Sequence, residues 1–155
     1  MDKCRETVNR WLQAVGAERG LPLSLDEEGQ TCLECDEDTY CLIEVPENAE
    51  HFFLYSPMLR LPEGLAEQNA VLKQALSLNL FSIETGGAVL AYDPRSNSVS
   101  LTFCEAVEVV EQETFNAMLG GFIELAMETK QRFAHAGTMV SVGKEEPSTV
   151  PVNFA

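Results

Sequence analysis

Residues 88–103 read AVLAYDPRSNSVSLTF, and no other stretch constrains the fold so tightly. Val99, Leu101 and Phe103 alternate with Ser98, Ser100 and Thr102, the period of two that gives a β-strand one apolar and one polar face. Asp93, Pro94, Ser96 and Asn97 supply turn chemistry between the two arms. The stretch therefore predicts a hairpin with one core face and one polar face. Two strands are too few to be stable alone, so the rest of the chain must supply more sheet and a covering layer.

The remaining periodicities supply both. Cys4, Val8, Trp11, Leu12 and Val15 recur at helical spacing with Arg5, Glu6, Asn9, Arg10 and Gln13 between them, which predicts an amphipathic helix ended by Gly16, Gly20 and Pro22. Three strand-like runs follow, 30–36, 40–45 and 51–58, separated by DED and PENAE, so an antiparallel meander is expected. The second and third runs, YCLIEV and FFLYSPM, are apolar beyond simple alternation. They are either buried on both faces or keep one apolar face for a partner. In the next helical stretch, 65–80, Leu65, Leu72, Leu76 and Leu80 form a stripe that Val71, Ala75 and Leu78 widen. A helix apolar over most of its circumference must bury two faces, and Leu72, Leu76 and Leu80 are the candidates for a subunit interface. A last helix over 112–134 aligns Phe115, Met118, Leu119, Phe122, Leu125, Ala126 and Phe133, with Gly120 and Gly121 in its middle predicting close packing or a kink. The predicted organisation is one α+β domain over 1–135, in the order α-β-β-β-α-β-β-α. A flexible tail over 136–155 follows, in which Val150, Val152 and Phe154 form a weak docking segment.

Ten basic and twenty-five acidic side chains leave a net charge of −15, which repels phosphate backbones and anionic membranes and argues against a nucleic-acid partner. No apolar run approaches the roughly 20 residues that span a bilayer, and the N-terminal MDKCRETVNRW lacks the apolar core of a secretory signal, so no membrane insertion and a cytoplasmic location are expected. Five cysteines in a reducing compartment are expected to be free thiols. Three of them lie in TCLECDEDTYC, where Cys32 and Cys35 form a lone CxxC. Along a strand these two point to opposite faces, and neither His51 nor His135 has the spacing of a further ligand, so no metal is expected. The acidic turn beside the CxxC would raise a thiol pKa where a redox pair needs it lowered. A four-residue DEDT turn would put Cys32 and Cys41 on one face. No nucleophile elbow flanks either histidine, and Gly86-Gly87 opens no phosphate loop. Neither catalysis nor a cofactor is predicted.

From LPEGLAEQNAVLKQALSLNLFSIETGGAVLAYDPRSNSVSLTF through ETFNAMLGGFIELAMETKQRF the chain resembles the class I type III secretion chaperones, the Tir chaperone (CesT-like) family. The N-terminal helix and LSLDEEGQTCLECDED extend the resemblance over roughly residues 1–135. The resemblance implies an antiparallel five-stranded twisted sheet with three helices, a homodimer formed largely through the second helix, and a bacterial cytoplasmic chaperone. Such a chaperone binds the N-terminal segment of one or more secreted effectors in extended form without nucleotide. Some relatives act instead on regulatory proteins, which leaves sequestration of a transcription-control partner as the alternative. An extended client needs apolar pockets and strand edges, because its ordering costs conformational entropy. The expected partner-binding surface is the non-core strand face bearing Ile43, Val45, Phe53 and Tyr55, with Trp11 nearby.

Overall fold

The computed structural model describes residues 2–80, 85–134 and 149–151. Helix α1 (Lys3–Arg19) leads into strands β1 (Gln30–Glu34), β2 (Tyr40–Glu44) and β3 (His51–Arg60). Helix α2 (Leu65–Leu78), strands β4 (Val89–Asp93) and β5 (Ser98–Ala106), a 3-10 turn (Val107–Val109), helix α3 (Gln112–Ala134) and strand β6 (Thr149–Pro151) complete the order. The strands lie in the order β4-β5-β3-β2-β1-β6. β1 to β5 pair antiparallel throughout, as expected, while β6 adds a sixth, parallel strand on β1. Of the stretch read as a tail, only 149–151 belongs to the described residues; Val152, Phe154 and His135 lie outside them.

Helix α1 runs through Gly16 and ends at Gly20, the second of the two glycines expected to end it. Asp2 caps it, its carboxylate accepting from the Cys4 backbone N–H at 3.0 Å, and Gly20 closes it in the left-handed conformation at φ 70°. Gly16 lies inside the helix because the returning chain crosses there: the Leu21 N–H donates to the Gly16 carbonyl at 2.8 Å, and a Cβ at Gly16 would collide with the Leu21 carbonyl. Its absence of a side chain marks a close approach, where the sequence suggested a stop.

Trp11, Phe52 and Phe115 meet at the centre of the core, with ring centroids 5.2 to 6.5 Å apart. These contacts place α1 and α3 on the sheet face that carries Phe52. Across the sheet the same face presents Leu33, Cys41, Ile43, Val45, Leu54, Leu101 and Leu90, all buried. The third strand holds this pattern through a register shift between Pro57 and Leu59, so Met58 and Leu59 are both buried. Close packing does not explain Gly120 and Gly121: a Cβ at either would meet nothing within 4 Å.

Candidate protein-binding surfaces

The hairpin that raised the cysteine question settles it through its register. Leu33 faces Cys41 and Cys32 faces Leu42, so Cys41 points into the core and Cys32 to the opposite face, contrary to the expectation that they share one. The reason is the turn length: the Cys35 N–H donates to the Thr39 carbonyl at 2.8 Å, one residue away from what a DEDT turn would give. Burial pushes the Cys32 thiol up to about 11 and the Cys35 thiol up to about 12, with Glu34 and Asp36 respectively adding to the shift. Such thiols are poor nucleophiles and poor ligands, and among the described residues no group of three or more His, Cys, Asp or Glu side chains converges.

Trp11, Ile43 and Val45 require a correction. All three are buried, at 6%, 0% and 0% exposure, on the helix-covered face, so they build the core and are not available to a partner. Phe53 and Tyr55 point the other way, because successive strand residues alternate. Phe53 is 38% exposed and Tyr55 half-buried. Register extends their face into a row that crosses five strands, Cys32, Leu42, Tyr55, Thr102 and Val89, with Phe53 and Cys104 paired beside it. No helix among the described elements packs its ring cluster against this side. The Tyr55 hydroxyl accepts from Ser100 Oγ at 2.8 Å and donates to Asp93 Oδ2 at 3.3 Å, so the ring is held upright at the β4 end. Asp93 is held below the usual carboxylate range, first by the Arg95 backbone N–H and then by its guanidinium.

A second apolar surface lies on α2 and β4. Val71 and Ala75 are buried and Leu72 packs partly against the core, while Leu65, Leu76 and Leu80 stand 82%, 67% and 63% exposed. The helix therefore has two apolar faces, one of them bare in the single chain. Tyr92, which shares the β4 face of Leu90, is also exposed on the edge strand. Asn79 fixes the junction: its side-chain amide donates to the Leu90 carbonyl at 2.9 Å and accepts from the Leu90 N–H at 2.8 Å, pairing with the edge strand as a neighbouring strand would. Leu65, Val89 and Tyr92 were not singled out from sequence, although Leu65 belongs to the same leucine stripe. Tyr92 stands near α2 because β4 is the edge strand, which is a matter of topology, while Val89 lies on the opposite sheet face in the row with Tyr55 and Thr102.

A small α+β layer with Phe53 and Val89 exposed on its outer sheet face and Leu65 and Leu76 exposed on its second helix has the build of a protein-binding module. Residues 10–130 match the model of the Tir chaperone protein (CesT) family, and the chain belongs to that family. It is similar in structure to a chain of the ExsC–ExsE complex, with 26% identity and a TM-score of 0.68 over 84% of this chain and 96% of the other. It is also similar to a chain of the HopA1–SchA chaperone–effector complex (18% identity, TM-score 0.64, 84% and 98% covered). A third likeness is to a chain of the heterodimeric ExoU–SpcU complex from the type III secretion system of Pseudomonas aeruginosa (20% identity, TM-score 0.59, 83% and 96% covered). No curated protein sequence matches the chain. The family is one of chaperones, and among the described residues no helix is long and apolar enough to cross a membrane.

Proposed function

We propose that this chain is a homodimeric type III secretion chaperone, working in the bacterial cytoplasm without cofactor or catalysis, that holds the N-terminal segment of an exported effector extended. The observation that carries this reading is the sheet face opposite the helix-covered core, where Phe53 and Val89 are exposed and Leu42 and Tyr55 partly so, which suits side chains of an extended segment. Family membership and the likeness to chaperone–effector complexes support it. The α2–β4 surface is the homodimer contact in this reading, through Leu76 and Leu80 with Leu72 at its inner margin. The acidic charge keeps the loaded particle soluble and away from nucleic acid. Affinity purification from the native cell followed by limited proteolysis tests the reading: the expected product is a protected N-terminal fragment of an exported protein. A partner protected only in its C-terminal part would overturn it.

A second reading, sequestration of a transcription-control protein on the same scaffold, is kept because the neighbour at 26% identity is a complex with ExsE, where the two others quoted carry HopA1 and ExoU. The same experiment separates the two, since a regulator that is not exported would be recovered instead.

A further inference from the structure

Phe53 stands exposed on the outer sheet face, and the residue facing it across the β2–β3 pair is Glu44. Directly paired cross-strand side chains are about 5 Å apart at Cβ, so whatever covers the ring also covers the carboxylate. Glu44 is half-buried, and among the described residues its carboxylate has no hydrogen bond or ion pair. The basic groups of this part of the sheet do not supply one. His51, two residues before Phe53 on the same strand, makes no ion pair with it. Arg95 is held on Asp93, with its Nε at 3.2 Å. Arg60 lies opposite Ser98, about 20 Å along β5 from Cys104, the residue that faces Phe53.

We propose that Glu44 sets the charge of what this face accepts: the extended partner segment seated on Phe53 brings a lysine or arginine side chain to the Glu44 carboxylate. A segment lying over Phe53 strips water from Glu44, and an ionised carboxylate covered without a counter-charge is strongly unfavourable. A cation offsets that cost most fully, because hydrogen bonds from a charged donor are roughly twice as strong as neutral ones. A neutral residue in its place would leave the carboxylate dehydrated or force it to take up a proton. An acidic one would add repulsion within a chain already at −15. Because Phe53 and Glu44 adjoin, the basic residue and the apolar residue on Phe53 lie within about two positions of each other in the partner, on the side that meets the sheet. The charge preference stands on the Glu44–Phe53 pairing; that the segment belongs to an exported client rests on the chaperone reading.

The test uses the full chain, isotopically labelled, and two synthetic peptides, GSVTVTKTVTVSG and its counterpart with Gln in place of Lys, titrated while backbone amide shifts are followed. In both peptides the valines and the central residue share one side of the extended chain. The unmodified chain should bind the Lys peptide about fivefold more tightly than the Gln peptide, with the largest shifts around Phe53 and Glu44. Glu44→Gln, which removes no partner within the fold, should erase that preference. Glu124→Gln removes the same charge from the exposed side of α3 and should leave the preference in place, which separates a local contact from the field of the whole acidic chain. Binding of neither peptide, equal binding of both, shifts that lie away from Phe53 and Glu44, or a preference that Glu124→Gln erases as well overturns the proposal. If the Glu44-dependent preference holds and no exported protein is recovered from the cell, the charge selectivity stands and the chaperone reading falls. An exported client captured equally well by the Glu44→Gln chain leaves that reading intact and removes this one.

Discussion

Arg5 shows how much a single side chain joins in this fold. Its Nε donates to the Val45 carbonyl at 2.8 Å and its two terminal nitrogens to the Glu28 and Glu27 carbonyls at 2.7 and 3.4 Å, fastening α1 to the end of β2 and to the loop before β1. Gly29 sits against this junction at φ 85°, where a Cβ would crowd both the Val45 carbonyl and the guanidinium. Arg5→Ala is expected to lower stability by about 1–3 kcal/mol, since carbonyls lose charged donors, and Arg5→Lys to recover only part because an ammonium cannot span the same fork; urea denaturation measures both. Sequence marked Arg5 only as a polar position on an amphipathic helix, because its partners are up to 40 residues away. The thiols give a pH prediction. Cys32 and Cys35 have pKa values raised from 9.0 to about 11 and about 12, so above pH 9 the unfolded chain releases protons that the folded chain keeps. Stability should therefore be full below pH 9 and fall as pH rises toward 12. At pH 8 iodoacetamide should modify the exposed Cys104 well before Cys32, Cys35 or the fully buried Cys41, which peptide mapping would show.

At the scale of an element, β3 carries both the core and the candidate client face. Phe52 and Phe53 are adjacent and chemically identical, yet one is fully buried between Trp11 and Phe115 and the other 38% exposed. Phe52→Ala is expected to cost about 3–5 kcal/mol in denaturant titration. Phe53→Ala should cost under about 1 kcal/mol and leave the fold intact, while weakening capture of the extended partner at least several-fold. Equal losses of stability for the two would remove the distinction between the faces. The run FFLYSPM showed in advance that both faces of this strand are apolar. It did not show that Ile43 and Val45 share the face of Phe52 and Leu54, because that depends on the β2–β3 register, which brings Ile43 opposite Leu54. Helix α2 was more legible: its excess of leucines over one stripe announced two apolar faces, and the structure divides them into Val71 with Ala75 inward and Leu65 with Leu76 outward.

At the scale of the molecule, Leu65, Leu76 and Leu80 stand exposed on and just after α2, and clustered exposed apolar side chains are contact surfaces. Leu76→Glu combined with Leu80→Glu should convert a dimer to a monomer by light scattering at micromolar concentration, with circular dichroism unchanged because neither side chain supports the core. A variant that remains dimeric would move the contact elsewhere. The sequence by itself determined the kind and order of elements, since the periods of 3.6 and 2 are local properties of the chain and the turns between them have their own chemistry. It also determined the acidic surface and the absence of any recognisable catalytic motif. Only the tertiary structure decided which face of each strand is covered, that Trp11 belongs to the core, that Asn79 completes the β4 edge and that residues 149–151 close the β1 edge. A period of two states that neighbouring side chains face opposite ways. Which way is inward is set by where helices distant in sequence come to rest, and no local pattern contains that.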